Sequence, residues 1–299
     1  MSDPDVKTVA SVEALFAEVR SDYREWNTPT FPWFRGEPAA TETPLLPVLF
    51  REPGRHDENR LLQQFRMKAP SLGLGTMPQR DHTDQWLFLA RHAGLPTRLL
   101  DWTEGLLIAL LFAVYDARGE PRGENEGATV WMLDPVELNR QSSPTNPSRD
   151  NEFPLTWINF PTDWPNRVEV LSWLAALADD ARSNKAEYLT KIRDSIPSNI
   201  GASNIRRAWG DPDAGTALPV AVHATSIHPR ITAQKGCFTI HGIVEQRLSN
   251  LVGPRILRQY RIRAGSLDQI RSDLRMAGIT YSTMFPDLDG LAVDLRSWF

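Results

Sequence analysis

The sequence predicts an α+β fold in a single mixed domain. Segments with apolar residues at helical spacing recur along the chain, and short apolar or alternating runs bounded by Gly, Pro and Asp fall between them. With 299 residues, 41% of them apolar, the chain can bury a substantial core. No internal repeat and no low-complexity tract interrupts this mixture.

Residues 1–10 are expected to be loose, and 1–25 form an N-terminal helical segment ahead of a domain over 26–295. Ser11 to Tyr23 is an amphipathic helix capped by Ser11, with Val12, Leu15, Phe16 and Val19 on one face. Phe31 to Glu37 reads as a strand running into a turn, and Pro38, Pro44 and Pro47 keep the next stretch extended. Asp57 to Lys68 is a second helix, followed by a Gly- and Pro-rich loop over 70–80. Asp84 to Ala93 and Glu104 to Ala117 are further helices on either side of Gly94–Thr103, which reads as an irregular loop. Asp101, with Glu104 three residues on, matches a capping box that would start the fourth helix near Trp102 and aim its N–H groups at the loop.

Ala128 to Leu133 is a buried strand stopped by Asp134-Pro135, and Asn139 to Pro154 suits an exposed loop. Helix-like patches at Val168–Ala181 and Ala186–Ile196 suggest a helical insertion at about 139–215. Strands return at Ala217–Val222, at Ile231–His241 with a bulge at Gly236, and at Ile256–Ile262. A helix follows at Ser266–Ala277, and Ser282–Leu295 is a terminal helix or turn set.

A formal charge of −4 provides no global basic field, which tells against an obligate duplex binder while leaving room for a local basic groove. The single cysteine, Cys237, excludes an internal disulfide and a cysteine-based zinc site. The six histidines form no HExxH or similar set, so no catalytic metal is expected. GxSxG, GxxxxGK[ST] and dinucleotide-type Gly-rich turns are missing as well. The first residues lack the basic start and apolar run of a signal peptide, and Leu106–Tyr115 is far short of the roughly 20 residues that span a bilayer. The expectation is a soluble, cytoplasmic protein without membrane contact. Ten tryptophans point to some lining a groove or an interface.

Three separated stretches combine polar side chains with rigid backbone. In Phe34-Arg35-Gly36-Glu37, the arginine can hold a diphosphate or carboxylate bidentately while Gly36 lets a ligand lie against the chain; a structural Arg–carboxylate pair is the alternative. In Thr97-Arg98-Leu99-Leu100-Asp101-Trp102, Thr97 can bond a ribose and Trp102 can stack on a ring, or Asp101 only caps and Arg98 only pairs with it. In Arg230–Phe238, Gln234 both donates and accepts, so it can grip ribose hydroxyls without charge, or simply sit on the surface.

Together these stretches resemble the FRG domain, named for its Phe-Arg-Gly signature. The resemblance rests on Trp33-Phe34-Arg35-Gly36-Glu37, on His92 to Thr103, and on His228-Pro229-Arg230-Ile231 with Gln234, Gly236 and Phe238. The tail, Gly278-Ile279 and Met284 to Leu291, is similar to the end of such proteins, and the likeness spans about residues 30–292. A second resemblance is to ADP-ribosyltransferases, whose site is spread over three strands. It implies a central, largely antiparallel split sheet flanked by helices, with NAD as substrate. It also implies Arg35, Thr97 and Gln234 as catalytic residues; Phe34, Gly36, Arg98, Asp101, Trp102 and Arg230 around NAD; and Trp33, Glu37 and His92 at the acceptor. The middle element lacks Ser-Thr-Ser and the last residue is Gln rather than Glu, a pattern that directs the first guess to a nucleic acid or nucleotide acceptor. The expected function is therefore an effector that places ADP-ribose on RNA, DNA or protein, in the manner of a toxin or phage-defence protein, with an antitoxin or other inhibitor protein as a further partner. The alternative is a non-catalytic nucleotide or nucleic-acid binding module. A nuclease-like hydrolase using Asp101, Glu37 and a histidine fits less well, because the carboxylates are dispersed.

Overall fold

The computed structural model describes residues 6–28, 31–39, 41–52, 54–72, 77–78, 83–116, 118–123, 126–142, 219–223, 229–241 and 247–296. Its strands are β1 (Val6–Val9), β2 (Trp33–Pro38), β3 (Leu99–Thr103), β4 (Ala128–Leu133), β5 (Val220–His223), β6 (Gly236–Ile240) and β7 (Leu257–Ile262). They form one seven-stranded sheet in the order β1-β7-β4-β2-β3-β6-β5. Every pairing is antiparallel except that of β1 with β7. The first helices are α1 (Val12–Trp26), α2 (Val48–Arg51), α3 (Glu58–Lys68), α4 (Thr83–His92), α5 (Leu106–Val114) and α6 (Pro135–Ser142). They are followed by α7 (Pro229–Ala233), α8 (Leu248–Leu251), α9 (Leu267–Met276), α10 (Tyr281–Met284) and α11 (Leu288–Arg296). The fold is α+β: a mixed sheet flanked by helices.

Side-chain alternation places a core on each face. Val130 and Met132 of β4 join Phe34, Tyr260 and helices α1, α5 and α9 on one side. Trp131 and Leu133 turn to the other, against Trp33, Leu100, Trp102 and Leu257. Because β4 is covered on both faces it reads as a nearly continuous apolar run, with Thr129 its one polar residue. Helix α4 covers the far end of the sheet, where Trp86, Leu87 and Phe88 meet Leu99, Val222, Phe238 and Ile240.

The sheet is nearly two sheets. Strands β2 and β4 pair over six positions and β3 and β6 over five, but β2 meets β3 at one pair only, Phe34 opposite Thr103. Continuing that register would set Gly36 opposite Asp101. The strands instead diverge, and the Arg35 guanidinium crosses the gap so that Nη1 donates to the Asp101 carbonyl at 2.7 Å. Helix α5, buried along most of its length, lies on β2. Its approach explains Gly36: a Cβ there would overlap the Ala109 carbonyl oxygen and stand 2.6 Å from Ala113 N. The glycine makes room for that helix.

Several expectations are corrected. The strand β1 occupies residues expected to be loose, held by its parallel pairing to β7. Helix α2 interrupts the Pro-rich stretch expected to be extended, and Ala69–Ser71 is a short 3-10 turn after α3. The second half of the Gly94–Thr103 loop is strand β3, and the capping box is not formed. Gly105 is the N-cap of α5, and Thr103 Oγ1 accepts from Gly105 N at 3.0 Å. Residues expected to form one strand from Ile231 to His241 begin instead as helix α7, whose turn closes through Gln234 N to Arg230 O, at 2.9 Å. Lys235, with φ of 46°, then redirects the chain into β6, so no bulge forms at Gly236. Asn139 starts no loop; α6 runs on to Ser142 because the Asn139 amide bonds both N and O of Ala221 on the edge strand β5. The terminal helix is two, α10 and α11, broken around Pro286. The remainder of the expected insertion, including Val168–Ala181 and Ala186–Ile196, lies outside the described residues. Among the described residues, no helix is long and apolar enough to cross a membrane.

Because a methyl at position 36 meets backbone rather than a movable side chain, Gly36→Ala is expected to cost about 3 kcal/mol. Denaturant unfolding checks this, and a loss below about 0.5 kcal/mol would show that α5 can shift off β2 at no cost.

Candidate functional site

The gap between β2 and β3 opens into a cleft of about 890 Å³. Phe34 to Pro38 form one side, and Asp101, Trp102 and Thr103 the other. Gly236 and Phe238 extend the β3 side, and Arg230, Ile231 and Gln234 follow from α7 and its end. Arg91 and His92 come from the end of α4, where Gly94, with φ of 87°, closes the helix and turns the chain towards β3. Phe112 and Tyr115 of α5 face Tyr281 and Phe285 across the aromatic end. Tyr281 and Phe285 are stacked with ring centres 4.3 Å apart.

Five arginines line the cleft, Arg35, Arg51, Arg91, Arg122 and Arg230, against four carboxylates, Glu37, Glu42, Asp101 and Asp116. Most of the central ones are already matched. Arg35 Nε donates to Glu37 Oε1 at 2.8 Å, and Glu37 Oε2 accepts from Trp131 Nε1 at 3.1 Å. Alternation on β2 puts Arg35 and Glu37 on the same face two residues apart, which is why they meet. Arg91 grips Asp101 through Nε, 3.1 and 3.0 Å from the two carboxylate oxygens, and through Nη2. Arg230 Nε donates to Asp287 at 2.6 Å, and its guanidinium lies 5.3 Å from the centre of the Phe285 ring. Desolvation in the cleft pushes the Asp101 carboxyl up, but Arg91, with Arg35 behind it, more than offsets this and holds it below the ordinary carboxylate value. The Asp101 side chain keeps 41% of its surface open.

Gln234 is fixed from three directions. Its backbone N donates within the α7 turn, its carbonyl accepts from Thr103 Oγ1 at 2.7 Å, and its side-chain Nε2 donates to Met284 O at 3.1 Å. Its amide oxygen makes no hydrogen bond among the described residues.

Of the residues singled out from the sequence, Phe34, Arg35, Gly36, Glu37, His92, Asp101, Trp102, Arg230 and Gln234 line this cleft. Trp33, Thr97 and Arg98 do not. Trp33 is buried in the core beside Trp102 and Trp131, edge-on to His223. Thr97 is buried, and its hydroxyl accepts from Leu99 N. Arg98 is spent on the buried Glu58, which accepts from both its backbone N and its side chain. Trp102 touches the cleft but is not free to stack on a base. It is 3% exposed, and its Nε1 donates to Thr239 Oγ1 at 3.1 Å, which in turn bonds Nε2 of the buried His241.

Sequence reasoning missed Thr103, Arg51, Arg91 and the aromatic end. Arg91 sits ten residues before Asp101 on the preceding helix, a spacing with no local signal. Phe285 and Met284 belong to the tail whose resemblance was noted without a role.

A carboxyl held below its ordinary value stabilises the fold above that ordinary value, and the gain is lost as pH falls through the lower, folded one. Asp101→Asn is therefore expected to lower the melting temperature at pH 7, with the gap to the parent chain narrowing below about pH 4. Thermal scans from pH 2 to 7 check this; a constant gap would mean that the Arg91–Asp101 pair does not hold α4 to β3.

No curated protein and no solved structure matches the chain. Residues 31–121, which run from the start of β2 through β3 and α5 and hold Arg35, Arg51, Arg91 and Asp101, match the family model of the FRG domain.

Proposed function

We propose that the protein is an NAD-dependent ADP-ribosyltransferase acting in the cytoplasm on a nucleic acid or a protein, as a toxin or phage-defence effector. One observation carries the reading. Arg35 on β2 and Gln234, which follows α7 just ahead of β6 beyond the split, are distant in sequence and line a single cleft of a volume usual for small-molecule and cofactor sites.

In the transfer, the bond between nicotinamide N1 and ribose C1′ breaks, and its electron pair leaves with nicotinamide. A lone pair of the acceptor forms the new bond to C1′, and the acceptor gives up its proton. Gln234 presents an amide oxygen to a ribose hydroxyl, held in place by Thr103 and Met284. The aromatic end offers ring faces to a base. Glu37 is consumed by Arg35, Trp131 and the Leu45 backbone N. Of the two carboxylates beside Arg35, that leaves Asp101, which Arg91 holds in place, and its lowered pKa makes it a weak base. Such a base suits an acceptor that is already nucleophilic, which favours a ring of a nucleotide or nucleic acid over a hydroxyl. An antitoxin or inhibitor protein covering the cleft belongs to the same reading.

A second reading, a nucleotide-binding module without turnover, is favoured by one fact: Arg35, Arg91 and Arg230 are each already paired to a carboxylate. Incubation with NAD separates the two. Nicotinamide release is expected, and Gln234→Ala should cut it about a hundredfold or more, the scale of losing one positioned polar group. Tight NAD binding with no release selects the module. Arg35→Ala is expected to abolish release and also to cost about 3 kcal/mol of stability, since it strands a buried Glu37.

A further inference from the structure

We infer that Arg51 binds the diphosphate of a nucleotide held in the cleft, an assignment that rests on the nucleotide reading above and moves the anion-binding cation off the Phe-Arg-Gly strand. The argument begins with what the other cations are doing. Arg35 spends Nε on Glu37 and Nη1 on the Asp101 carbonyl, and Arg91 and Arg230 are occupied by Asp101 and Asp287. A diphosphate reaching any of these must compete with an internal carboxylate.

Arg51, the last residue of α2, is exposed and lines the same cleft. Among the described residues no carboxylate lies within salt-bridge distance of it, Glu42 included. Its Nε donates to Leu46 O at 3.1 Å, which fixes the guanidinium while leaving both terminal nitrogens to bind. Such a fork matches phosphate oxygens bidentately. Its surroundings also select an anion. The charges that act on Arg51 are those of Arg35 and Arg91 against Glu37 and Asp101, so with Arg51 itself three cations stand against two carboxylates. Desolvation by the cleft walls, with Arg35 and Arg91 beyond it, lowers the Arg51 pKa although Glu37 and Asp101 oppose this, and a bound anion would relieve the repulsion between the three arginines.

Arg122 is the other cleft arginine without a carboxylate in salt-bridge range, and it makes the useful contrast. Its Nε donates to Ala113 O, and the charges acting on it are those of Asp116 and Glu126. That corner is acidic and repels what Arg51 attracts.

Calorimetric titration of the full chain with ADP, and with adenosine as the phosphate-free probe, tests the assignment. Arg51→Gln is expected to weaken ADP by about tenfold to a hundredfold, the range for losing a charge-assisted contact. Adenosine affinity and melting temperature should hold, since the side chain is exposed. Arg51→Lys should retain part of the ADP affinity, and Arg122→Gln all of it. Unchanged ADP affinity in Arg51→Gln, a loss in Arg122→Gln instead, or no ADP binding by the parent chain would each overturn the assignment. Nicotinamide release is scored separately. Release by the parent chain with ADP affinity indifferent to Arg51 removes only the Arg51 assignment; Arg51-dependent ADP binding without release removes only the transferase.

Discussion

The architecture depends on a carbonyl oxygen that has lost its strand. Where β2 and β3 part after a single shared pair, the Asp101 carbonyl can no longer be met by backbone N–H, and an unpaired buried carbonyl is costly. Arg35 supplies the missing donor from a side chain. The Phe-Arg-Gly-Glu run then has a physical reading residue by residue. Phe34 anchors the strand in the core under α5, Arg35 spans the split, Gly36 lets α5 lie on the strand, and Glu37 holds the guanidinium at the required angle. The signature builds the split and lines the cleft that opens there.

This separates two jobs in the cleft. Arg35, Arg91 and Glu37 are wall, locked by one another and by Asp101 and Trp131. Gln234 and Arg51 reach the cavity with unused hydrogen-bonding atoms. Thr103 joins the two sets: its hydroxyl starts α5 by accepting from Gly105 N and fixes the Gln234 backbone by donating to its carbonyl. A shift of β3 relative to β6 would therefore move Gln234 as well.

Much of the fold was legible because local chemistry agreed with the tertiary outcome. The Ser11 cap and the spacing of Leu15 and Val19 give α1, and the Asp57 cap gives α3. The nearly continuous apolar run of β4 announced burial on both faces. The failures share a cause. Leu99–Thr103 carries no strand pattern of its own and is extended because residues 236–240 pair with it. Asp101 looked like a cap because Glu104 follows at the right distance, but Arg91 takes its carboxylate. Ile231 to His241 alternates acceptably throughout, and nothing local shows that its first half closes into a helical turn. In the site, the polarity of Arg35 and Gln234 was readable, but that Arg91 and Arg230 are already satisfied was not, since Asp101 and Asp287 sit on other elements. Thr97 and Arg98 lie in the most recognisable stretch and still point away from the cleft, towards the Leu99 backbone and Glu58.

The strand order has a consequence for the recognised stretch taken alone. Within residues 31–121, β2 and β3 share one pair, and each finds its long ladder outside that stretch, with β4 and β6 respectively. A fragment cut to those bounds would present two bare ladder edges and lose Gln234, Arg230 and the Tyr281–Phe285 stack from the hollow between them. The most recognisable third of the chain is thus neither a free-standing unit nor a complete pocket, and its partner strands must be sought far downstream, where a reader scanning for the motif would stop looking.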